Sequence, residues 1–392
     1  GGESSGTTDD DGGGVTNQPV TLGMSINSIV FNEYGATQNS LTNSQVIGTD
    51  ISEADFLQAN QQANSSLVSF YNGIKDDSDF KSIAELALAI NPSQASPTMV
   101  LADDNQVNEG NGITPHYNPN TNQIVLGNAA FSEDTLTEMK VIAIHELAHS
   151  QQKVRVLESE QLYGPDGQHY ATEVTSLLGA YVEGYAEFWQ AYYEPAQWAK
   201  FQFGMSMCGF RKEDSSSTAQ NPQYNGLGGA PSDCEDMIPW TSLEKEDFFK
   251  IEGLIASILL EVALRIPEGL SKVFQALALE NDTDTTSIDL LEVLGQVLSG
   301  EDNARYLLIL DVMTNFKYSL EELKQISGTT SLTIDSFTYD QPMTILGGLT
   351  GRELVMQEAG KTVDHNNFTV RYNGFHALDQ VVTTSGNQAL IP

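Results

Sequence analysis

The chain contains few basic residues. Its 392 residues include 18 Lys and Arg against 53 Asp and Glu, which gives a formal net charge of -35. A surface of that sign repels the phosphate backbone of nucleic acids and anionic lipid surfaces alike. We therefore expect no nucleic-acid partner. The acidic excess is more typical of the solvated surface of a salt-adapted or secreted protein than of a site that captures basic ligands.

Long apolar runs are also missing. The most apolar segment, residues 251–266, is interrupted by Glu252, Glu261 and Arg265. Its uncharged stretches fall short of the roughly 18 apolar residues that a membrane-spanning helix needs. We expect no transmembrane segment.

Cysteine is almost absent. The two cysteines, Cys208 and Cys234, flank a polar stretch rich in Ser, Asn, Gly and Pro. We predict a loop at 208–234 that a disulfide closes, which suits a chain exported to an oxidising compartment. The alternative is a pair of free buried thiols.

The N-terminal residues offer almost nothing that could be buried. Residues 1–14 read GGESSGTTDDDGGG, and this composition is typical of a flexible linker. We predict a flexible tether over residues 1–18. The segment resembles the tether that follows the lipidated Cys of many bacterial surface lipoproteins. That resemblance implies a lipid anchor at the N-terminus and an exported protein, either periplasmic or extracellular.

Apolar residues recur at helical spacing over most of the chain, with short strand-like runs between them. The pattern predicts two helices over residues 52–90 and further helices at 132–152, 171–193, 244–265, 269–279, 288–298 and 304–318. Strands are predicted within 18–31, at 98–102 and at 123–126. The expected fold class is therefore α+β and mostly α-helical.

The predicted helix at 132–152 carries two histidines four residues apart. The rings of His145 and His149 therefore project from one face and can bind one metal ion, with Glu146 beside them. Zinc prefers neutral imidazole nitrogen, and it lowers the pKa of a bound water towards about 7, so that a nearby carboxylate can take the proton. The alternative is a pair of hydrogen-bonded core histidines. Chance alone yields this pattern only about 0.006 times in such a chain, which favours zinc.

The third zinc ligand must come from another segment. Gln152 and Arg155 occupy the offsets at which one large class of zinc peptidases has Gly and a third His. The next long helix contains Glu183 and, one turn later on the same face, Glu187. An antiparallel helix pair would bring Glu183 to the metal and leave Glu187 to accept a hydrogen bond from the outer nitrogen of a liganding histidine. His169 and Glu187 are the rival third ligands.

These two motifs together resemble those of the gluzincin metallopeptidases. That family has His-Glu-x-x-His, followed on a later helix by a liganding Glu, often in a Glu-Gly-x-Ala setting like that of residues 183–186. The resemblance implies His145, His149 and Glu183 as zinc ligands and Glu146 as the general base. It also implies a supporting carboxylate at Glu187, because the thermolysin-like branch has an acid four residues after its ligand.

The resemblance also implies a zincin-like core, in which a small mixed sheet packs against the zinc helix. We expect this catalytic core at 19–200 and a mainly helical C-terminal subdomain at 201–392 that completes the cleft. In gluzincins a strand upstream of the zinc helix lies along the cleft edge and pairs with an extended substrate. The predicted strand at 123–126 occupies that place.

Transition-state stabilisation in such enzymes needs a Tyr or His from the C-terminal part, which hydrogen-bonds to the developing oxyanion. Tyr372 and His376, within the run RYNGFH, are the candidates. We predict that His116 and His365 are surface histidines.

The run NDTD at residues 281–284 superficially resembles a calcium-binding loop. It lacks the central Gly and the Glu at the twelfth position that such a loop requires. We therefore predict a solvated turn between helices.

The sequence therefore predicts a zinc-dependent peptidase that hydrolyses peptide bonds of peptide or protein substrates. Two alternatives stay open. One is a catalytically inactive, zinc-containing surface binding protein on a peptidase scaffold. The other is a zinc hydrolase of a non-peptide substrate, because the same metal and water can cleave other amides or open epoxides.

Overall fold

A computed structural model gives the fold of the chain. It describes residues 29–33, 49–60, 66–75, 77–103, 115–127, 136–153, 171–195, 198, 210–212, 238, 242–314, 317–330, 368–370 and 381–383. The described part is mostly helical with a small mixed sheet, which confirms the α+β fold class.

The sheet has five strands: β1 (Ile29–Glu33), β2 (Thr49–Ile51), β3 (Thr98–Asp103), β4 (His116–Asn118) and β5 (Gln123–Gly127). Their order is β2-β1-β3-β5-β4. The three central strands are parallel, and β2 and β4 are antiparallel to their neighbours. The strands predicted at 98–102 and 123–126 are thereby confirmed.

The prediction that the strand at 123–126 lies along the edge of the cleft is wrong. Strand β5 pairs with β3 on one side and with β4 on the other, so it is an internal strand. Its core residues Ile124, Val125 and Leu126 are all fully buried, as expected for a strand covered on both faces. Within the described part of the chain, the edge next to β5 is formed by β4 instead.

Three helices occupy the region in which two are predicted: α1 (Glu53–Asn60), α2 (Ser66–Ile74) and α3 (Ser78–Leu88). Residues 61–65, between α1 and α2, lie outside the described part. Helix α3 begins where it does because the side chain of Asp77 accepts hydrogen bonds from the backbone N–H groups of Asp79 and Phe80.

The two predicted motif helices are both present as α4 (Leu136–His149) and α5 (Leu177–Tyr193). Helix α5 begins later than the predicted 171, because Ser176 caps it by accepting a hydrogen bond from the Gly179 N–H at 2.9 Å. Before the cap, β6 (Glu173–Val174) pairs in parallel with β7 (Arg211–Lys212).

Asp77 joins the start of α4 to the end of α5. Its carboxylate forms an ion pair with Lys140 of α4 and accepts a hydrogen bond from the hydroxyl of Tyr193 of α5 at 3.3 Å. Burial opposes its ionisation, but the bonds from Lys140, the Phe80 N–H and Tyr193 hold the pKa of Asp77 below its ordinary value. Because Lys140 and Tyr193 lie at opposite ends of their helices, α4 and α5 are antiparallel here.

The described part of the C-terminal half contains a 3-10 helix (Lys245–Lys250), five α-helices and a two-stranded antiparallel sheet. The helices are α6 (Glu252–Arg265), α7 (Gly269–Leu279), α8 (Ser287–Val297), α9 (Glu301–Met313) and α10 (Leu320–Ile326), and the strands are β8 (Phe368–Val370) and β9 (Val381–Thr383). The single helix predicted at 244–265 is interrupted at Ile251, which is extended and bridges to Val174. Helix α9 ends before the predicted 318, and α10 was not predicted.

The most apolar segment of the chain forms the buried centre of the fold. Residues 252–262 of α6 are all buried, and α6 packs along α5. One hydrophobic cluster joins α4, α5 and α6 to the helices that follow. The second half of the chain therefore supports the helix that carries Glu183. None of the described helices is long and apolar enough to cross a membrane.

Gly184 allows the close approach of α5 and α6. A Cβ at this position would lie 2.8 Å from the carbonyl oxygen of Glu252 and 2.8 Å from the Cβ of Ile255, which is closer than real Cβ atoms come. The glycine that follows Glu183 therefore has a packing role.

Replacing Gly184 by Ala should lower the free energy of unfolding by about 1–3 kcal/mol, because α5 and α6 must move apart. Urea denaturation measures the change. The same variant should bind zinc more weakly, since Glu183 moves with α5. Gly300→Ala is the reference for zinc binding: it also strains the backbone, at a φ of +57°, but a Cβ there meets no atom within 4 Å and the contact between α5 and α6 is unchanged. Wild-type stability in Gly184→Ala would contradict the close contact.

Candidate metal centre

Three predicted ligands meet between α4 and α5. The Nε2 atoms of His145 and His149 lie 2.9 Å apart, and Oε2 of Glu183 lies 3.2 Å from each of them. Of the described residues, these form the group of His, Cys, Asp and Glu side chains that could hold a metal ion. The predicted juxtaposition of the three side chains is confirmed.

The spacing of the three donor atoms suits a tetrahedral ion. Zinc lies about 2.0–2.2 Å from nitrogen and carboxylate ligands, which places tetrahedral ligands roughly 3.3 Å apart. The distances of 2.9, 3.2 and 3.2 Å are close to this value. The three donors would supply three of the four ligands that zinc takes, and a water or substrate atom would supply the fourth.

The electrostatics of the site also favour a cation. Glu183 is 3% exposed, and a carboxylate buried this deeply needs a compensating charge. Burial alone would lower the pKa of His149, but the carboxylates of Glu183 and Glu146 and the hydrogen bond with Gln152 raise it to about 9. Without a metal, the positive charge next to Glu183 is therefore a proton on His149.

Gln152 connects the two helices behind the metal ligands. Its side-chain oxygen lies 2.8 Å from Nδ1 of His149, and its amide nitrogen donates to the carbonyl oxygen of Val182 at 2.8 Å. Val182 directly precedes Glu183, so one buried side chain contacts the surroundings of two ligands. The sequence prediction missed Gln152, although its spacing of three residues from His149 places both side chains on one face.

Asn281 holds the segment that follows α4. Its amide donates to the carbonyl oxygen of Gln151 at 2.8 Å, and its side-chain oxygen accepts from the Lys153 N–H at 2.8 Å. Asn281 is 2% exposed, so the predicted solvated turn is wrong at this residue, whereas Asp282 to Asp284 are exposed. The buried amide satisfies backbone groups at the end of the metal-binding helix.

Glu187 lies one turn beyond Glu183 on α5 and is 5% exposed. The structure records no hydrogen bond between Glu187 and either ligand histidine among the residues it describes, and its Oε2 has no partner there. Burial, the nearby carboxylate of Glu252 and then that of Glu183 raise the pKa of Glu187 well above its ordinary value. The surroundings of Glu187 therefore favour its uncharged form, and the outer nitrogen of His149 contacts Gln152 instead.

The remaining predicted residues divide into two groups. His116 lies on β4, is half-buried and has a buried Nε2, so the prediction of a surface histidine is wrong there. The others lie outside the described residues: the tether at 1–18, His169, Cys208, Cys234, the loop at 208–234, His365, Tyr372 and His376.

Neither known protein-family models nor curated proteins match this chain. The gluzincin resemblance therefore stays a prediction that depends on the two motifs.

The third ligand can be tested with two isosteric substitutions one turn apart. Glu183→Gln should weaken zinc binding by more than the roughly 10–100-fold that loss of an outer hydrogen-bond partner costs, because it removes a ligand charge. Glu187→Gln, the matched control, changes a carboxyl group that lies outside the donor triangle and should keep the wild-type zinc affinity. Competition with a zinc chelator measures both. Equal losses in both variants would contradict the assignment of Glu183.

Zinc binding should release a proton from His149. Because the pKa of His149 without metal is about 9, its ring is charged at pH 7 and must lose a proton to bind. We expect the apparent zinc affinity to rise about tenfold per pH unit from pH 7 towards 9 through this group, and then to level off. Calorimetry in buffers of different ionisation enthalpy counts the protons. Uptake of protons, or none exchanged at pH 7, would contradict this electrostatic account.

The protonated ring of His149 also stabilises the metal-free fold. This contribution falls as the pH rises, whereas zinc affinity increases. The ring's pKa of about 9 exceeds the ordinary value of 6.5, so its contribution is fully present below about pH 6.5 and is lost as the pH rises through 9. The gap in Tm between zinc-loaded and metal-free protein should therefore widen over this range.

Proposed function

We propose that the chain is a zinc-dependent peptidase of the gluzincin type, with a zincin-like catalytic core. The observation that carries the proposal is the donor triangle of His145, His149 and Glu183 with a further carboxylate, Glu146, beside it. Three protein ligands and one open position are the arrangement of catalytic rather than structural zinc.

Glu146 is the proposed base. It lies on α4 directly after His145 and is half-buried. Its charge helps to raise the pKa of His149, so its carboxylate lies within electrostatic range of the ligands. It does not belong to the group of donor atoms that converge, which leaves it free to exchange protons.

The residues divide the chemistry of hydrolysis between them. When bound, zinc polarises the scissile carbonyl and lowers the pKa of water at its open position. Glu146 takes the proton from the attacking water and then delivers it to the leaving amine. His145, His149 and Glu183 hold the ion, and the packing of α4 on α5 fixes their separation. Tyr372 and His376 stay the proposed donors to the developing oxyanion.

The peptide substrate is proposed on the resemblance to the gluzincins. Helix α4 packs against β4 and β5, so the sheet lies next to the proposed metal centre. The acidic surface and the expected tether suit an exported enzyme.

Glu146→Gln tests the proposal directly. The variant should bind zinc like the wild type, because no ligand changes, and its kcat/KM on a fluorogenic peptide library should fall at least about 100-fold, because the proton acceptor is lost. Glu292→Gln is the control, since Glu292 is exposed on α8.

The outcome also separates the alternative functions. Zinc binding without peptide cleavage by the wild type would favour the inactive binding protein or a hydrolase of non-peptide substrates. Cleavage by Glu146→Gln at the wild-type rate would exclude Glu146 as the base.

A further inference from the structure

Gln152 makes two hydrogen bonds that together determine the proton positions at His149. The carbonyl oxygen of Val182 can only accept, so the Gln152 atom 2.8 Å from it is the amide nitrogen. The other end of the amide, facing Nδ1 of His149 at 2.8 Å, is then an oxygen, which can only accept. Nδ1 must therefore carry a hydrogen. In the neutral ring this leaves the lone pair on Nε2, the atom that faces His145 and Glu183.

The side chain of Gln152 also links α4 to α5 close to the three donor side chains. Gln152 lies just beyond the end of α4 and is 4% exposed, so both bonds are shielded from water. Its partner Val182 is bonded covalently to Glu183. A shift of α5 relative to α4 would therefore stretch the bond to Val182 as it separated Glu183 from His149.

The partner of His149 is a neutral amide, although the carboxylates of Glu183 and Glu146 act on its ring. Glu183, Glu187 and Glu252 are each at most 5% exposed, and the whole chain has a net charge of -35. A carboxylate at position 152 would also accept a hydrogen bond from Nδ1 of His149, but it would add a negative charge next to that ring. The amide orients the ring without that charge. It also provides the N–H that donates to the carbonyl oxygen of Val182.

From these contacts we propose that Gln152 is the positioning residue of the metal centre: it holds His149 with its hydrogen on Nδ1 and links it to the ligand helix α5 through Val182. The inference rests on the metal centre of the proposed function. It adds a residue that neither the motif nor the predicted ligand set contains.

Two variants separate the roles of the amide. Gln152→Met keeps the length of the side chain and removes both bonds, so zinc affinity should fall about 10–100-fold. Gln152→Glu keeps an oxygen acceptor for Nδ1 but loses the donor to Val182 and places a carboxylate against its carbonyl oxygen. Zinc affinity should therefore fall in this variant too, while the hydrogen on Nδ1 is kept. Gln296→Met is the control, because Gln296 is exposed on α8. Competition with a zinc chelator measures all of these affinities.

A spectroscopic test needs no variant. In protein with 15N-labelled histidine, the zinc-loaded wild type should show His149 with its proton on Nδ1, exchanging slowly with water. That signal should be lost in Gln152→Met and kept in Gln152→Glu. A purely structural role for Gln152 would change stability and leave this signal and the zinc affinity unchanged.

The results distinguish this inference from the proposed function. If the wild type binds no zinc, the metal centre fails, and the tautomer of neutral His149 in metal-free protein still tests Gln152. If the wild type binds zinc but carries the His149 proton on Nε2, the inference about Gln152 is overturned alone. Wild-type zinc affinity in Gln152→Met, or loss of the hydrogen on Nδ1 in Gln152→Glu, would overturn it as well.

Discussion

The site depends on the antiparallel contact between α4 and α5. Side-chain bonds hold this contact near both of its ends. At one end Asp77 binds Lys140 of α4 and Tyr193 of α5. At the other end Gln152 reaches from the segment after α4 to the Val182 carbonyl of α5. The ligand side chains project into the space between these two fixed points. Their separation is therefore a property of the helix pair rather than of flexible side chains.

Charge explains why this contact suits a metal ion. Glu183, Glu187 and Glu252 are buried close to one another in an acidic protein, and uncompensated carboxylates there would destabilise the fold. The surroundings of Glu187 raise its pKa, which favours its uncharged form. Glu183 remains beside two imidazoles, where a divalent cation can replace the proton of His149. The helices of the second half exclude water from this region by covering α5.

The local parts of the site could be predicted from the sequence, and the long-range parts could not. Spacing along one helix was sufficient to pair His145 with His149, and an antiparallel neighbour placed Glu183. Gln152 was missed because its partner on α5 follows from tertiary packing, even though its spacing from His149 was visible. Asn281 carries no local signal, since it contacts α4 from a distant segment. The order of the strands likewise depends on pairing between distant segments, which is why β5 was wrongly placed at the edge.

The central claim is that His145, His149 and Glu183 bind one zinc ion. Anomalous diffraction from crystals of the zinc-loaded protein, recorded on both sides of the zinc absorption edge, tests it most directly. The account predicts one strong peak about 2.0–2.2 Å from both Nε2 atoms and from the Glu183 carboxylate. A peak bound by the two histidines without Glu183, or a zinc ion held elsewhere in the chain, would contradict it.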